Sequence, residues 1–182
     1  MSNMRIYGNR QIKTLPGELT RPTLAKVREA IFNIWQGQVS GCRWLDLCAG
    51  SGSMGAEALC RGAVKVVGIE KNSQACRIIQ ENWQKVAKVD QEYQILKGDL
   101  LKRVENLGGE TFDLIYFDPP YAAKLYDRVL AKIVDLELLA PSGELAVEYD
   151  PKLWQPLELP GLELFKEKNY GKTAIAFYCP AD

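Results

Sequence analysis

The chain predicts an α/β protein: a mostly parallel sheet with helices on both faces, a C-terminal antiparallel hairpin and a small N-terminal extension. Three observations carry this. Apolar runs alternate with segments of helical periodicity between residues 42 and 149, the order that builds parallel strands joined by crossover helices. The last two apolar runs are separated only by "NYGK" (169–172), where Gly171 suits a tight hairpin turn. No repeat, low-complexity stretch or linker interrupts the 182 residues, a length at which one core is the default.

The elements follow in order. In "TRPTLAKVREAIFNIWQG" (20–37), Leu24, Val27, Ile31 and Ile34 share one helical face, with Ala30 and Trp35 close by. Pro22 fits the first turn of that helix and Gly37 its end. Arg21 and Arg28 fall off the apolar stripe, toward solvent or a ligand. "CRWLDLC" (42–48) reads as a strand and "SMGAEALCRG" (53–62) as a short helix closed by Gly62. "VKVVGIE" (64–70) is a second strand. "NSQACRIIQENWQKV" (72–86) is a helix opened by an Asn72 cap. "EYQILKG" (92–98) is a strand, "DLLKRVENL" (99–107) a short helix and "TFDLIYF" (111–117) a strand. "AKLYDRVLAKIVDLELL" (123–139) reads as a helix and "GELAVEY" (143–149) as a strand. "LELFKEK" and "TAIAFYC" then form the hairpin, whose last strand is expected to run against the others.

Composition narrows the chemistry. There is no histidine, so histidine acid–base work, Ser-His or Cys-His nucleophiles and histidine-held metals are excluded. The five cysteines (42, 48, 60, 76 and 179) have no CxxC spacing, so neither a zinc site nor a disulfide framework is expected, and a reducing cytoplasm fits. No apolar run reaches membrane-spanning length, and no signal-peptide core opens the chain. Formal net charge is zero, yet residues 1–28 carry six basic residues against one acid, which leaves −5 for the rest. That asymmetry points to an anionic partner for the N-terminal segment, or else to a solvated basic arm.

Gly50-Ser51-Gly52-Ser53-Met54-Gly55 fits GxGxxG between a strand and a helix. Glycines there permit positive φ and close approach of a ligand to the backbone. Glu70, about 20 residues on and at the end of the second strand, can accept hydrogen bonds from a ribose. A dinucleotide or a purely structural turn would satisfy this much. Asp46 separates the ligands. It ends the first strand, where a carboxylate would repel a pyrophosphate but suit a cation. S-adenosylmethionine (SAM) carries an ammonium, a sulfonium and an adenosine. Asp99, after the third strand, is placed to accept from the adenine amino group, to cap a helix, or both.

"DPPY" (118–121) ends the fourth strand. Asp118 and the carbonyl of Pro119 offer acceptors for both N–H groups of an exocyclic amine, and Asp118 balances positive charge arriving on nitrogen. Neither Pro119 nor Pro120 carries a backbone N–H, and each restricts the loop. Tyr121 gives a base a face to stack on. The alternative is a rigid turn and nothing more. If the first and fourth strands are neighbours, the glycine loop and DPPY share one crevice at the switch in strand order.

These motifs, with "RPTLAKVREAIFN" (21–33), "LDLCAGSGSMGAEALCRGA" (45–63), "FDLIYFDPPYAAKLYDRVL" (112–130) and "NYGKTAIAFY" (169–178), resemble the RsmD family over nearly the whole chain. That family methylates guanine N2 in small-subunit (16S) ribosomal RNA. The resemblance implies a Rossmann-like SAM-dependent methyltransferase. SAM would be held by Asp46, Ala49, Gly50, Ser51, Gly52, Glu70, Lys71, Asp99 and Leu100, and the target base by Asp118, Pro119, Pro120 and Tyr121. Residues 1–38 would contact RNA through Arg10, Lys13, Arg21 and Arg28, ahead of a catalytic domain at 39–182. Ribosomal RNA, free or within the assembled small subunit, is the expected partner; a cytoplasmic location and no metal are expected, and the oligomeric state stays open, with a monomer favoured. Two features depart from the family pattern. The first hairpin, "RIYGNRQIKTL" (5–15), is short and lacks an Arg-Gly-Arg run, and Cys48 stands where an aromatic is common. Cys48 reads as a small buried side chain, not a nucleophile. The rival readings are a DNA adenine-N6 or cytosine-N4 methyltransferase, a nicotinamide-dependent oxidoreductase and a non-catalytic RNA-binding module.

Overall fold

A computed structural model describes residues 2–16, 22–121 and 124–182. A short hairpin comes first, β1 (Asn3–Ile6) and β2 (Arg10–Lys13), followed by α1 (Pro22–Ile34). The alternating part runs β3 (Arg43–Asp46), α2 (Ser53–Cys60), β4 (Lys65–Glu70), α3 (Ser73–Val86), β5 (Glu92–Lys97), α4 (Leu100–Glu105), β6 (Phe112–Phe117), α5 (Tyr126–Asp135) and β7 (Leu139–Tyr149). The hairpin β8 (Leu162–Tyr170) and β9 (Thr173–Pro180) ends it, turning at Gly171, whose φ is 69°.

The main sheet has seven strands in the order β5-β4-β3-β6-β7-β9-β8. β5, β4, β3, β6 and β7 pair in parallel, while β9 runs antiparallel between β7 and β8. This is a Rossmann-like arrangement with one antiparallel strand inserted near the edge. After β3 the chain moves outward through β4 and β5, then returns to lay β6 on the other side of β3. The order therefore reverses between β3 and β6, with Asp46 opposite Tyr116. Beyond the strand ends at such a switch, the connections diverge and leave a crevice.

Alternating side chains of the sheet feed two buried clusters. On one face Trp44 stacks on Phe32 at 5.3 Å between ring centroids, and Trp35 meets it edge-on. Ile6 and Ile12 of the hairpin and Val27 and Ile31 of α1 belong to this same cluster, so the N-terminal segment packs into the main core. On the other face α4 and α5 cover Leu45, Ile115, Phe117 and Leu145.

Two elements, α5 and β7, differ in their bounds from the sequence reading. The helix expected over 123–139 begins at Tyr126 and ends at Asp135; Ala122 and Ala123 lie outside the described residues. Glu137 takes a left-handed φ of 51° just past the helix, and Leu139 then pairs with Phe112 as the first residue of β7. β7 thus starts four residues before the expected strand. Residues 136–139, apolar but for Glu137, suit a helix face and a buried strand equally, and the backbone reversal at Glu137 decides between them.

Candidate active site

The C-terminal ends of β3, β4, β5 and β6 open into one cleft of about 590 Å³. Asp46, Ala49, Gly50, Glu70, Lys71, Asp99 and Leu100 line one side, and Asp118, Pro119, Pro120 and Tyr121 the other. Residues predicted from four separate strand ends thus meet at the switch point. Beyond Asp46 the chain stays tied to both neighbours. Leu47 donates its N–H to Tyr116 (3.0 Å) and Ala49 donates to Ile69 (3.0 Å). This holds the loop between the two walls.

Asp46 is 1% exposed. The Cys48 backbone N–H donates to its carboxylate, but Oδ1 has no hydrogen-bond partner among the described residues. Burial pushes its pKa up to about 7, against the lowering effect of the Cys48 N–H, and Glu70 raises it slightly. A buried carboxyl with an idle oxygen, on a residue that lines the cleft, is suited to a cation.

Glu70 accepts from the Gly50 N–H (2.9 Å) through Oε2 and from the Asn72 N–H (2.8 Å) through Oε1. Each oxygen keeps a lone pair for a further donor. The sequence pointed to a ribose ligand at this residue; the structure also makes it the tie between the glycine loop and the start of α3. Asp99 caps α4 by accepting from the Lys102 N–H (3.1 Å) and remains exposed at the cleft wall, so the cap leaves it able to accept from a ligand.

The glycine loop divides into two roles. Gly50, with φ 57°, lines the cleft. Ser51 and Gly52 do not line it and are buried behind the loop. Their carbonyls accept from Asn82 Nδ2 (2.9 Å) and Trp83 Nε1 (2.8 Å). A Cβ on Gly52, Gly55 or Gly68 would lie 2.7, 2.5 or 2.6 Å from atoms of the Trp83 indole. Three glycines are therefore needed to seat one tryptophan, and two of them, Gly52 and Gly55, are ones where the sequence suggested room for a ligand.

On the facing wall, Pro119 is buried and Pro120 exposed. Asp118 and Tyr121 are half-buried, and the Tyr121 hydroxyl lies 3.4 Å from Thr173 Oγ1. Behind them is a buried network that sequence reasoning missed. Tyr116, itself on the cleft wall, donates to Glu148 Oε2 (2.6 Å), and Tyr126 donates to the Glu148 carbonyl (3.0 Å). Burial, then Glu148 and Asp118, raise the Tyr116 pKa well above its ordinary value, so it holds its proton and donates. An acid in the apolar alternation "LAVEY" (145–149) was the available signal. Cys48 is half-buried, with its thiol pKa raised by burial and by Asp46 and Asp118. A thiol held protonated is a poor nucleophile.

Of the basic residues predicted to meet RNA, Arg10 is exposed on β2, with Nη1 donating to the Val86 carbonyl (3.2 Å). Lys13 is partly exposed and paired with Glu81. Arg21 lies outside the described residues. Arg28 turns inward: its side chain is 12% exposed, lines the cleft, and pairs through Nε with the buried Glu57 at 2.8 Å. Asn82 joins the hairpin to the glycine loop. Its Oδ1 accepts from the Lys13 N–H (2.8 Å), and its Nδ2 donates to the Lys13 (2.9 Å) and Ser51 carbonyls.

Comparison with known proteins places the chain in a family. The family model described as "Conserved hypothetical protein 95" matches residues 4–179. Bacillus subtilis YlbH is 32% identical over 93% of this chain and 92% of its own length. The Haemophilus influenzae ribosomal RNA small subunit methyltransferase D is 29% identical, covering 95% of this chain and 90% of that protein. The Escherichia coli yhhF structure superposes with a TM-score of 0.84 at 25% identity, over 97% of each chain. SMU.776, solved with S-adenosylhomocysteine (SAH), shares the fold at 13% identity, with a TM-score of 0.65 over 86% of this chain and 48% of its own. The chain belongs to the "Conserved hypothetical protein 95" family, the RsmD family of SAM-dependent methyltransferases.

Proposed function

We propose that this chain methylates an exocyclic amino group, guanine N2, in small-subunit ribosomal RNA. The observation that carries the reading is one cleft with two complementary walls. Asp46 presents a buried, idle carboxyl oxygen, and Asp118 with Pro119 presents acceptors from a loop whose two prolines carry no N–H. When bound, SAM supplies an electrophilic methyl on a sulfonium. The residues present fit it. Asp46 would take the ammonium, Glu70 the ribose hydroxyls and Asp99 the adenine amino group, with Ala49, Gly50, Lys71 and Leu100 forming the rest of the wall. Ser51 and Gly52 support that wall from behind.

Asp118 and the Pro119 carbonyl accept the two N–H bonds of the target amine. That aims its lone pair into the cleft and balances the charge that develops on nitrogen. Tyr121 stacks on the base, and Thr173 helps fix the ring. Pro120, exposed at the rim, holds the loop's shape. No group need remove a proton before transfer, in keeping with a chain that has no histidine. The guanine must be unpaired or turned out of its helix, because its amino group is otherwise engaged in pairing. Arg10 and Lys13 would meet RNA phosphates beside the cleft.

The relatives' names support ribosomal RNA as the substrate, and the family resemblance supports guanine N2. The test is methyl transfer from labelled SAM into purified small-subunit RNA and into assembled subunits, followed by nucleoside analysis. The expected label is N2-methylguanosine. Label in a methylated adenosine or cytidine, or none in either substrate, would overturn the reading.

A further inference from the structure

We propose that Arg28 binds the carboxylate of the methionine end of SAM, so that Asp46 and Arg28 together hold an α-amino acid by its two opposite charges. This rests on reading the cleft as a SAM site. It moves Arg28 from the RNA surface, where its place on a basic segment suggested it belonged, to the cofactor.

The argument begins with a charge imbalance. Glu57, whose side chain is 5% exposed, receives Arg28 Nε at 2.8 Å and Arg61 Nη2 at 2.8 Å. No second carboxylate lies within 4.0 Å of either guanidinium among the described residues. Arg61 is sandwiched by aromatic faces, 4.4 Å from the Tyr7 ring centroid and 4.8 Å from that of Phe32. Two cations thus share one anion in a largely dry cluster, which keeps one positive charge in excess. Such a charge is costly unless an anion completes it.

The incomplete member is Arg28, because it is the one on the cleft wall. Its Nη2 donates to the Arg5 carbonyl (2.9 Å), a neutral partner. Among the described residues its Nη1 meets only the Met4 thioether sulfur (2.8 Å), a weak acceptor that a carboxylate oxygen would outbid. Glu57 follows Ser53 by one helical turn on α2, so Arg28 is anchored beside the stretch of cleft formed by Ser53 and Met54. The opposite charge is the idle Asp46 Oδ1 on the same cleft. The cleft therefore offers a buried acid and an excess cation in addition to Glu70 and Asp99. An adenosine carrying an amino acid matches both pairs; an adenosine without one matches only the second.

The test compares SAH with 5′-methylthioadenosine, which lacks the amino-acid end, by calorimetry on wild type, Arg28→Ala and Arg28→Lys. Wild type should bind SAH more tightly than methylthioadenosine. Arg28→Ala should weaken SAH by about ten- to a hundredfold, the range for a hydrogen bond to a charged group, and leave methylthioadenosine unchanged. Arg28→Lys keeps the charge without the fork, and should fall between wild type and Arg28→Ala for SAH alone. Equal weakening of both ligands in the two variants would make Arg28 a packing residue and overturn the proposal, as would no change in either. If wild type binds neither ligand, the SAM reading itself fails, and that outcome is distinct.

Discussion

Asp46 shows how one side chain sets a ligand's charge. Its folded pKa of about 7 lies above the ordinary carboxyl value because burial disfavours the anion. The fold therefore holds the Asp46 proton more tightly than the unfolded chain does. That contribution to stability is complete at low pH and is lost as pH rises toward 7. A cationic ligand prefers the ionised form, so the sign reverses for binding. SAH affinity should rise with pH up to about 7, by at most about tenfold per unit, and level off above. Asp46→Asn should bind more weakly and show a flat profile. Calorimetry between pH 5 and 8 in buffers of different ionisation enthalpy reads both affinity and proton release; a pH-independent wild type would contradict the assignment. The identity of this residue was legible because an acid at a strand end, four residues before a glycine pair, is chemically odd. Glu148 was not. It sits in an apolar run like any solvent-side polar residue, and only the pairing of β7 with β6 brings it to Tyr116.

Among the elements, the glycine loop depends on α3 more than its own motif suggests. Asn82 and Trp83, on the buried face of α3, take the Ser51 and Gly52 carbonyls, and Asn82 also brackets both backbone polar groups of Lys13. Asn82→Ala should therefore cost about 1–3 kcal/mol in urea unfolding, because a part-buried donor and two acceptors lose their partner together. SAH affinity should fall with it. A loss below about 0.5 kcal/mol, the usual range for a surface substitution, would mean that the three contacts are dispensable. In the sequence, Asn82 occupies an apolar position between Ile79 and Trp83, which marks it as a buried polar residue but cannot name its partners. The strand–helix alternation itself was readable, since period two and period 3.6 are written in each segment. What failed was the end of α5, where Glu137 reverses the backbone between apolar residues that suit either element.

In the molecule as a whole, the basic N-terminal segment does two jobs with different residues. Its apolar side chains join the main core, and Arg28 joins the cleft, while Arg10 and Lys13 stay outward on the hairpin. The Lys13–Glu81 pair is exposed on both sides, so exchanging it for a phosphate costs little. Arg10→Ala with Lys13→Ala should weaken RNA binding and reduce its salt slope by about 0.7 per lost contact if that RNA is single-stranded, with SAH affinity unchanged. An unchanged slope would leave the hairpin a solvated face. The charge asymmetry was visible in the sequence; which cations face outward depended on packing, because Glu57 lies on another helix and draws Arg28 in. The account as a whole turns on Asp118 as the group that orients the amine and balances its charge. Single-turnover methylation of small-subunit RNA by wild type and Asp118→Ala, at SAM concentrations saturating for both, tests this most directly. Asp118→Ala should slow transfer by roughly two to three orders of magnitude, as when one preorganised electrostatic group is lost. Its SAH affinity should match that of wild type. A variant that methylates at close to the wild-type rate would show that Asp-Pro-Pro-Tyr is only a turn, and would contradict the mechanism.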